Sequence, residues 1–403
     1  MPDPGARRVR VMLLLPSLHG GGAERVAVQL MQHLDRTRFE VRMGLLRKTG
    51  PYVAMVDERE LDVARLGQRF LDFDRGNAEV YKAGSMLPAI VLTPANTVAM
   101  LRRFRPDVVV SFRKGMSVIT LGAVLLYGRS RLRWVAREGN NTFAVIDDEL
   151  QSKPARRLVR QLTAQVYRAA DRLLSICEEL QGDLRRDLGL DPARLCTIYN
   201  AVDVADVEQK AALEPAPGVM PQEPYLIAVG RLERQKGYDV LLHALAGSSQ
   251  LQDHRLLLVG EGSQEAQLRA LAAELGIADR VSIAGWQDNP WALMRRARLF
   301  VLPSRWEGFG NVVVEALASG VPVVVSDCRY GPKEIVRNGQ DGLVVAVDDV
   351  AGTRAALERV LGDPILAARL AAAGKTRARE FDVPRMVRRY EALFLELAAE
   401  LAR

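Results

Sequence analysis

The segment from Leu299 to Pro322 constrains the fold most, because it reads as a buried strand, a glycine turn and a short helix in direct succession. Gly308 and Gly310 permit a tight turn, and Asn311 is predicted to cap a helix that the following Gly-Val-Pro ends. Such a turn presents the backbone N–H groups of residues 311–313 and the positive end of the helix dipole to a ligand. The segment therefore predicts an anion site, most naturally for phosphate.

Two glutamates bracket this predicted site. Glu307 lies at the lip of the turn, and Glu315 lies about one turn into the helix. Carboxylates are poor ligands for phosphate but good acceptors from sugar hydroxyls, so a diphosphate between them would leave one carboxylate near each neighbouring group. A nucleotide sugar has this layout, with a hydroxylated ring, two phosphates and a ribose. Without the surrounding strand, glycines and helix, two glutamates at this spacing would be ordinary surface residues.

The sequence around these glutamates, Trp306-Glu-Gly-Phe-Gly-Asn-Val-Val-Val-Glu-Ala-Leu-Ala-Ser-Gly-Val-Pro, resembles the Glu-x7-Glu signature of the retaining family-four glycosyltransferases. The resemblance runs from about Val9 to Tyr390 and is densest between Gly230 and Leu343. It implies an α/β chain with the GT-B fold, in which two Rossmann-like parallel-sheet domains face each other across a cleft. The version of the motif that continues into Gly331-Pro-Lys-Glu-Ile is most similar to bacterial enzymes that build lipid-linked or polysaccharide glycans.

The chain is long enough for two globular domains, with 403 residues of which 48% are hydrophobic. Residues 214–224 hold four prolines and are the predicted linker. We therefore expect an acceptor-binding domain over residues 1–205 and a nucleotide-sugar-binding domain over residues 220–382. The resemblance implies that residues 383–403 form a helix that crosses back to the first domain.

Short apolar runs alternate with helical patterns in both predicted domains, which favours parallel sheets covered on both faces. The stretch from Phe70 to Thr93 is left unassigned. The predicted strands are residues 9–16, 41–46, 108–112, 134–137 and 173–176 in the first domain and 225–229, 255–259, 281–284, 299–302 and 323–326 in the second.

A basic loop follows the first strand of the second domain and carries Arg231 and Lys236. Open parallel sheets bind ligands at the carboxyl ends of their strands, so these cations are predicted to neutralise a diphosphate. The alternative is two solvated charges on a loop. The resemblance implies that the later loop with Trp286 and Gln287 contacts the base, and plain packing of Trp286 is the alternative there.

In the first domain, Gly20, Gly21 and Gly22 follow a buried strand and precede a helix. The resemblance implies that such a glycine loop lines the cleft opposite the diphosphate. Related enzymes often have a histidine facing the sugar after a later strand, where this chain has Arg137 and Glu138. Glu138 either accepts a sugar hydroxyl or assists deprotonation of the acceptor, or it is simply paired with Arg137.

Residues 151–172 read as a helix with one basic face. We expect this face to bind an anionic membrane surface without insertion, and an ordinary solvated helix face is the alternative. The basic residues are Lys153, Arg156, Arg157, Arg160, Arg168 and Arg172, and the opposite face, predicted to pack inward, holds Leu158, Val159, Leu162 and Val166.

Composition limits the remaining possibilities. Residues 1–200 hold 32 Lys and Arg against 22 Asp and Glu, whereas the rest hold 24 against 27, so the first domain should prefer anionic surroundings.

No apolar run is long enough to span a bilayer or to serve as a secretory signal, which predicts a cytoplasmic protein, peripheral at the inner face of the cell membrane if the basic helix binds there. Cys177, Cys196 and Cys328 are scattered, so we expect reduced thiols without zinc or disulfide. Nucleic-acid binding is disfavoured because no aromatic residues alternate with the basic ones.

Together these features predict a retaining glycosyltransferase that moves a sugar from a nucleoside diphosphate donor, such as a UDP-hexose or UDP-N-acetylhexosamine, to a hydroxyl of a glycan or lipid-linked glycan. The chain has no Asp-x-Asp motif placed for the diphosphate, so Arg231 and Lys236 are expected to replace a metal ion, and no cofactor is expected. The alternatives are an epimerase or phosphorylase of the same fold, or a sugar-nucleotide sensor or scaffold without turnover. The catalytic candidates are Arg231, Lys236, Glu307 and Glu138, and the binding candidates add Gly20, Gly21, Gly22, Trp286, Gln287, Gly308, Phe309, Gly310, Asn311, Val312 and Glu315.

Overall fold

The computed structural model describes residues 7–64 and 86–403. The chain divides into two compact units. The first unit combines Met1–Tyr199 with the terminal segment Pro384–Arg403, and the second unit is Asn200–Val383. Each unit is built on a parallel sheet.

The first unit contains a sheet whose strands are ordered β3-β2-β1-β4-β5-β6-β7 among the described residues. The central strands β1 and β4 are buried along most of their length, which explains why they read as nearly continuous apolar runs. The strands are β1 (Val9–Leu15), β2 (Phe39–Leu45), β3 (Leu61–Val63), β4 (Val108–Phe112), β5 (Arg133–Glu138), β6 (Arg172–Ser175) and β7 (Leu195–Thr197).

Helices connect these strands, as parallel pairing requires. The last helix of the chain also belongs to this unit. Its Phe394 packs edge-on against Phe39 with ring centroids 6.2 Å apart, and the hydroxyl of its Tyr390 accepts a hydrogen bond from Arg137 Nε at 3.0 Å. The helices are α1 (Gly22–His33), α2 (Met86–Phe104), α3 (Lys114–Tyr127), α4 (Thr142–Glu149), α5 (Lys153–Ala169), α6 (Glu178–Leu188) and α15 (Val383–Leu401).

The second unit repeats the design with strands ordered β10-β9-β8-β11-β12-β13. Its core is an apolar cluster in which leucines from the sheet meet leucines from the covering helices. The strands are β8 (Tyr225–Val229), β9 (Arg255–Val259), β10 (Val281–Ile283), β11 (Leu299–Leu302), β12 (Val323–Ser326) and β13 (Leu343–Val345). The helices are α7 (Val204–Ala211), α8 (Tyr238–Ala246), α9 (Glu265–Glu274), α10 (Pro290–Arg296), α11 (Asn311–Ser319), α12 (Pro332–Ile335), α13 (Val350–Gly362) and α14 (Pro364–Ala378).

The boundary between the two units lies between Tyr199 and Asn200, slightly before the predicted end of the first domain at residue 205. The reason is that α7 packs against α10 and α11 of the second unit. Asn289 Nδ2 also donates to the carbonyl of Lys210 at 2.9 Å, which ties the end of α7 to the loop before α10.

Every predicted strand is present within a few residues of its expected bounds. The strands β3, β7 and β13 were not predicted as strands, because each has three residues and too little pattern to register as one. Of the unassigned stretch from Phe70 to Thr93, residues 70–85 lie outside the described residues and the rest lies in α2.

The orientation predicted for the basic helix is wrong for its two leucines, although Val166 is buried as predicted. Leu158 and Leu162 of α5 are 56% and 58% exposed rather than packed inward, and the buried residues on this helix are Thr163, Ala164, Val166 and Tyr167. Arg172 does not belong to the helix either: it begins β6 and contacts Glu396 of α15 at 2.6 Å. The inward face is instead set by Tyr167, whose ring packs against Phe143 and whose hydroxyl bonds to Glu138.

Candidate functional site

In the second unit, the loops after neighbouring strands meet closely at the carboxyl edge of the sheet. Gly230 follows β8 and Gly260 follows β9, and a Cβ on Gly260 would lie 2.1 Å from the carbonyl oxygen of Gly230. The amide of Gly260 also donates to the carbonyl of Gly285, after β10, at 2.8 Å. Because both glycines after β8 and β9 have positive φ angles, only glycine allows this approach without strain.

Lys236 reaches this edge on a single 3₁₀ turn, Arg234–Lys236, that follows β8. The turn ends at Gly237, whose φ angle of 65° is left-handed. A Cβ on Gly237 would lie 2.1 Å from the carbonyl oxygen of Pro303, which follows β11. The missing side chain therefore allows the Lys236 loop to lie directly against the loop after β11.

Lys236 and Glu307 form a buried ion pair in the second unit. Lys236 Nζ donates to Glu307 Oε1 at 2.6 Å, and Ser304 Oγ donates to the same oxygen at 2.7 Å. Both charged side chains are about one-tenth exposed, and Ser304 is fully buried. Two predicted site residues that are 71 positions apart in sequence are thus in direct contact.

The helix after Glu307 begins as predicted, but its cap is different. Gly310, with a φ angle of 92°, is the N-cap residue, and Asn311 is the first residue of α11 rather than its cap. The amide of Val313 donates to the carbonyl of Gly310 at 2.8 Å, so it is not among the free donors. The amides of Asn311 and Val312 remain as donors of the first turn. The side-chain oxygen Oδ1 of Asn311 is buried and accepts no hydrogen bond within the described residues.

Tyr238 is a candidate that sequence reasoning missed. Its hydroxyl is buried and has no hydrogen-bond partner among the described residues. A Cβ on Gly230 would lie 3.0 Å from this hydroxyl and 3.0 Å from Lys236 Cε, so the tyrosine lies beside the lysine. Burial, and then the charge of Glu307, raise the pKa of the Tyr238 hydroxyl, which remains a neutral donor. Its only signal in the sequence was its place immediately after Lys236-Gly237.

The other predicted residues of the second unit lie around this pair. Arg231 is exposed and donates to Gln235 Oε1 at 3.2 Å on the loop that carries Lys236. Trp286 is 72% exposed and donates to Asp288 Oδ1 at 3.1 Å, so its interpretation as packing is wrong. Gln287 donates to the carbonyl of Ala284 at 2.9 Å, and Glu315 is buried in α11. Gly308 and Phe309 lie in the turn before α11, where Phe309 is buried.

The glycine loop of the first unit also lies at a carboxyl strand edge. Gly20 has a φ angle of 105°, Gly21 is the N-cap of α1, and Gly22 is its first residue. Behind the loop, the fully buried Glu24 pairs with Arg113 at 2.6 Å. Arg113 follows β4 directly and has a left-handed φ of 71°, a conformation that is strained for a non-glycine residue and is common at functional sites. Arg113 is not among the residues predicted from the sequence, although its position as a cation immediately after a buried strand could have indicated it.

Glu138 ends β5 and is buried in the first unit. It accepts hydrogen bonds from Thr142 Oγ1 at 2.9 Å, from the amide of Gly139 at 3.2 Å and from the Tyr167 hydroxyl at very short range. Burial raises the pKa of Glu138 to about 7, although the bonds from Thr142 and Gly139 and the charges of Lys114 and Arg137 act against the shift. Glu138 can therefore hold or release a proton near neutral pH.

This raised pKa makes the stability of the first unit depend on pH. Because the pKa of Glu138 is higher in the folded chain than in the unfolded one, its contribution is complete below about pH 4.5 and is lost as pH rises through about 7. Relative to Glu138→Gln, the wild-type free energy of unfolding should fall by about 3 kcal/mol between pH 4.5 and pH 8. Hydrogen exchange of the β5 amides measures this difference. Glu265→Gln, on α9 of the second unit, is the control, and a difference that does not change with pH would contradict the assignment.

The cysteines do not contribute to the site. All three are free, and burial raises the pKa of both Cys196 and Cys328 to about 12, which leaves them as unreactive thiols. Within residues 7–64 and 86–403, no three His, Cys, Asp or Glu side chains converge in a way that could hold a metal ion.

Both units match known protein families. Residues 21–201 match the glycosyl transferase 4-like domain, and residues 210–377 match the glycosyl transferases group 1 family. A Campylobacter jejuni N-acetylgalactosamine-N,N'-diacetylbacillosaminyl-diphospho-undecaprenol 4-alpha-N-acetylgalactosaminyltransferase is 26% identical over 93% of this chain and 96% of its own length. The lipopolysaccharide core biosynthesis glycosyltransferase LpsE of Rhizobium meliloti is 37% identical over 38% of this chain and 43% of its own length.

Solved structures share the architecture. Anabaena HepE in complex with UDP superposes with a TM-score of 0.76 at 18% identity, over 96% of this chain and 100% of that one. The lipopolysaccharide outer core galactosyltransferase WaaB, without ligand, superposes with a TM-score of 0.73 at 19% identity, over 96% of this chain and 100% of that one. These likenesses, with the two parallel sheets described above, confirm the predicted GT-B fold.

Proposed function

Because this chain belongs to the group 1 glycosyltransferases and carries their 4-like domain, we propose that it is a retaining, metal-independent enzyme that transfers a sugar from a UDP-sugar to a hydroxyl of a lipid-linked glycan. Its relatives include enzymes of bacterial glycan and lipopolysaccharide synthesis. Three features of this proposal go beyond membership of the family: the nucleotide of the donor, the retention of the anomeric configuration and the identity of the acceptor.

One arrangement carries the proposal: the buried pair of Lys236 and Glu307 lies directly before the start of α11, where the buried Asn311 Oδ1 accepts no hydrogen bond from any residue that the structure describes. The buried hydroxyl of Tyr238 lies beside Lys236 and also has no partner in the described part of the chain. Buried polar groups are normally hydrogen-bonded, so unused ones indicate an external partner. The partner that fits a cation, helix amides, a carboxylate and two neutral polar groups is a sugar diphosphate.

In this proposal the leaving diphosphate is stabilised by charge. Lys236 Nζ has donors besides the one used by Glu307, and the amides of Asn311 and Val312 point along the helix start. Arg231 supplies a second, exposed cation from the same loop. Preorganised donors of this kind lower the barrier because they oppose the negative charge that develops on the leaving group. The same two cations take the role that a metal ion would otherwise have.

The carboxylates position the donor on either side of the diphosphate. Both hydrogen bonds that the Glu307 side chain accepts from the described residues reach Oε1, so we assign Oε2 to a hydroxyl of the donor sugar and Glu315 to the ribose. No side chain is assigned as a covalent nucleophile. A donor phosphate oxygen takes the proton of the acceptor hydroxyl, and the new bond forms on the face that the diphosphate leaves, which retains the configuration. Trp286 and Gln287 are assigned to the base.

The choice of donor and acceptor rests on the relatives. HepE was solved with UDP and with UDP-glucose, and the Campylobacter jejuni relative acts on a diphospho-undecaprenol-linked sugar. We assign the acceptor to the first unit, with Gly20, Gly21, Gly22 and Glu138 on its side of the reaction. A lipid-linked acceptor lies in a membrane, so the anionic membrane surface predicted as partner of the basic helix is part of the same proposal.

Slow hydrolysis of the donor tests the proposal without the acceptor. Purified protein is incubated with UDP-glucose, UDP-galactose, UDP-N-acetylglucosamine, UDP-N-acetylgalactosamine or GDP-mannose, with and without EDTA, and the released nucleotide is measured. We expect one UDP-sugar to be hydrolysed at least about tenfold faster than GDP-mannose, with no effect of EDTA, because the site contacts base, ribose and sugar. Hydrolysis of GDP-mannose alone, or loss of activity in EDTA, would contradict the assigned nucleotide or the absence of a metal.

The rival functions give different results when a lipid-linked acceptor is added to this assay. A phosphorylase or epimerase would change the donor sugar without an acceptor-dependent release of UDP. A sensor or scaffold would bind UDP-sugar in calorimetry but release no UDP even with lipid-linked acceptor. The anomeric configuration of the transferred sugar, determined by NMR, tests retention directly.

A further inference from the structure

Helix α5 exposes leucines among cations on one face. Leu158 and Leu162 are 56% and 58% exposed, and Arg157 and Arg168 are exposed on the same side of the helix. At about 100° per residue these four positions fall within an arc of roughly 140°, with the two arginines on one side of it and the two leucines on the other. Scattered apolar residues are common on protein surfaces, but two leucines beside arginines on one helix face form an amphipathic contact surface.

The charge of this face is positive and, among the residues that the structure describes, largely uncompensated. Neither α3 nor α5 contains an acidic residue. Arg160 differs from the other basic residues of α5 because its charge is compensated by ion pairs with Asp147 at 2.6 Å and with Asp187 at 3.0 Å. The two side-chain nitrogens of Arg168 donate to the carbonyl of Leu188, which fixes the side chain but does not neutralise its charge. The other two acidic residues in the last turn of α4 are at positions 148 and 149.

A groove of about 1300 Å³ runs along α5 and joins these groups. Its walls mix apolar and cationic side chains, which suits a ligand that carries acyl chains and a phosphate. The residues that line it include Phe143, Lys153, Arg157, Leu158, Leu162 and Arg168.

The neighbouring helix also exposes apolar side chains. Helix α3 packs against α5 in the first unit and exposes Val118, Leu125 and Leu126 by 50%, 59% and 67%. Val118 and Leu125 lie seven residues apart, on one face of α3. No helix of the part of the chain that the structure describes is both long and apolar enough to cross a bilayer, so a contact with lipid here would be made at the membrane surface.

We propose that the exposed face of α5, formed by Lys153, Arg157, Leu158, Leu162 and Arg168, docks on an anionic lipid bilayer, with both leucines entering the acyl region and the cations contacting lipid phosphates. This differs from the purely electrostatic contact that the sequence predicts, because the leucines face outward. A bilayer matches both features of the face, as acyl chains accept the leucines and anionic headgroups attract the cations. The proposal extends the proposed function, since it gives the membrane partner a defined surface.

Co-sedimentation with vesicles tests the docking surface in the full-length protein. Phosphatidylcholine vesicles with and without phosphatidylglycerol are compared for wild type, the double variant Leu158→Gln/Leu162→Gln and the variant Arg157→Gln. We expect wild type to bind only the anionic vesicles and to bind them less at high salt, because salt screens exposed charges. The double leucine variant should lose about tenfold or more in partitioning, and Arg157→Gln roughly fivefold.

The control is Ile365→Gln, because Ile365 is 82% exposed and belongs to α14 of the second unit rather than to this face. It should bind anionic vesicles as wild type does. Wild type that fails to bind, or a double leucine variant that binds equally well, would overturn the proposal. A double variant that changes the oligomeric state instead would show that the leucines contact a second copy. Hydrolysis of soluble UDP-sugar should be unchanged in the double variant, so failure of docking and failure of the proposed transfer are separate results.

Discussion

Replacing Lys236 with alanine is expected to lower kcat/KM for the donor by roughly a hundredfold or more. The variant removes a charge-assisted hydrogen bond to the leaving diphosphate, a contribution that strengthens as the diphosphate gains charge. It also leaves Glu307 as a buried carboxylate that has lost its cation, which should cost about 3–5 kcal/mol of stability. Donor hydrolysis and thermal unfolding measure the two effects.

These two effects separate in a second variant. Lys236→Met with Glu307→Gln removes both charges while keeping their volume, so much of the stability should return while the activity stays low. Arg269→Ala breaks an exposed ion pair with Glu265 on α9 and serves as the control, with little expected effect on either quantity. Wild-type kcat/KM in the double variant would show that the pair has only a structural role.

A large effect on folding is expected from Gly237→Ala. The new Cβ would lie 2.1 Å from the carbonyl oxygen of Pro303, and the φ angle of 65° is unfavourable for alanine. We expect a loss of about 3–5 kcal/mol, with about 1–2 from the left-handed backbone and the rest from the clash. Because Gly237 follows Lys236 directly, the displaced loop should also reduce donor hydrolysis. Urea unfolding and the hydrolysis assay measure both.

Gly276→Ala is the matched control for this variant. Gly276 has a φ angle of 68°, and an added Cβ would meet no atom within 4 Å. Only the backbone penalty remains, so its loss of stability should be about 1–2 kcal/mol. Equal losses in the two variants would mean that the loops after β8 and β11 can separate at no cost, and Gly237 would then not define the position of Lys236.

The sequence predicts the parallel sheets well because their strands are buried on both faces and read as unbroken apolar runs, as Val108–Phe112 does. It predicts helix ends less well. Asn311 has the chemistry of an N-cap, yet Gly310 takes that position because the turn before α11 requires a left-handed residue. The sequence also predicts the wrong inward side for Leu158 and Leu162 of α5. Periodicity divides a helix into faces, but tertiary contacts such as that of Tyr167 with Glu138 decide which face is buried.

The sequence identifies residues of the site but not the contacts that these residues make with each other. Lys236 and Glu307 were assigned to different parts of one ligand, to the phosphate and to the sugar, whereas in the structure they bond to each other. This contact depends on a close approach of two loops, which requires Gly237, and no local pattern encodes it. Tyr238 was missed for a similar reason, since a tyrosine at the start of an apolar helix reads as core until the hydroxyl is found without a partner.

The assignment of Pro384–Arg403 to the first unit has a consequence for protein synthesis. At about 5–20 residues per second, the ribosome completes residue 199 roughly 10–40 s before it completes residue 403. During this interval Phe39 lacks the ring of Phe394, and Arg137 lacks the hydroxyl of Tyr390. The nascent first unit therefore exposes an apolar surface until residues 384–403 have been synthesised, and a fragment that stops at residue 199 is expected to aggregate.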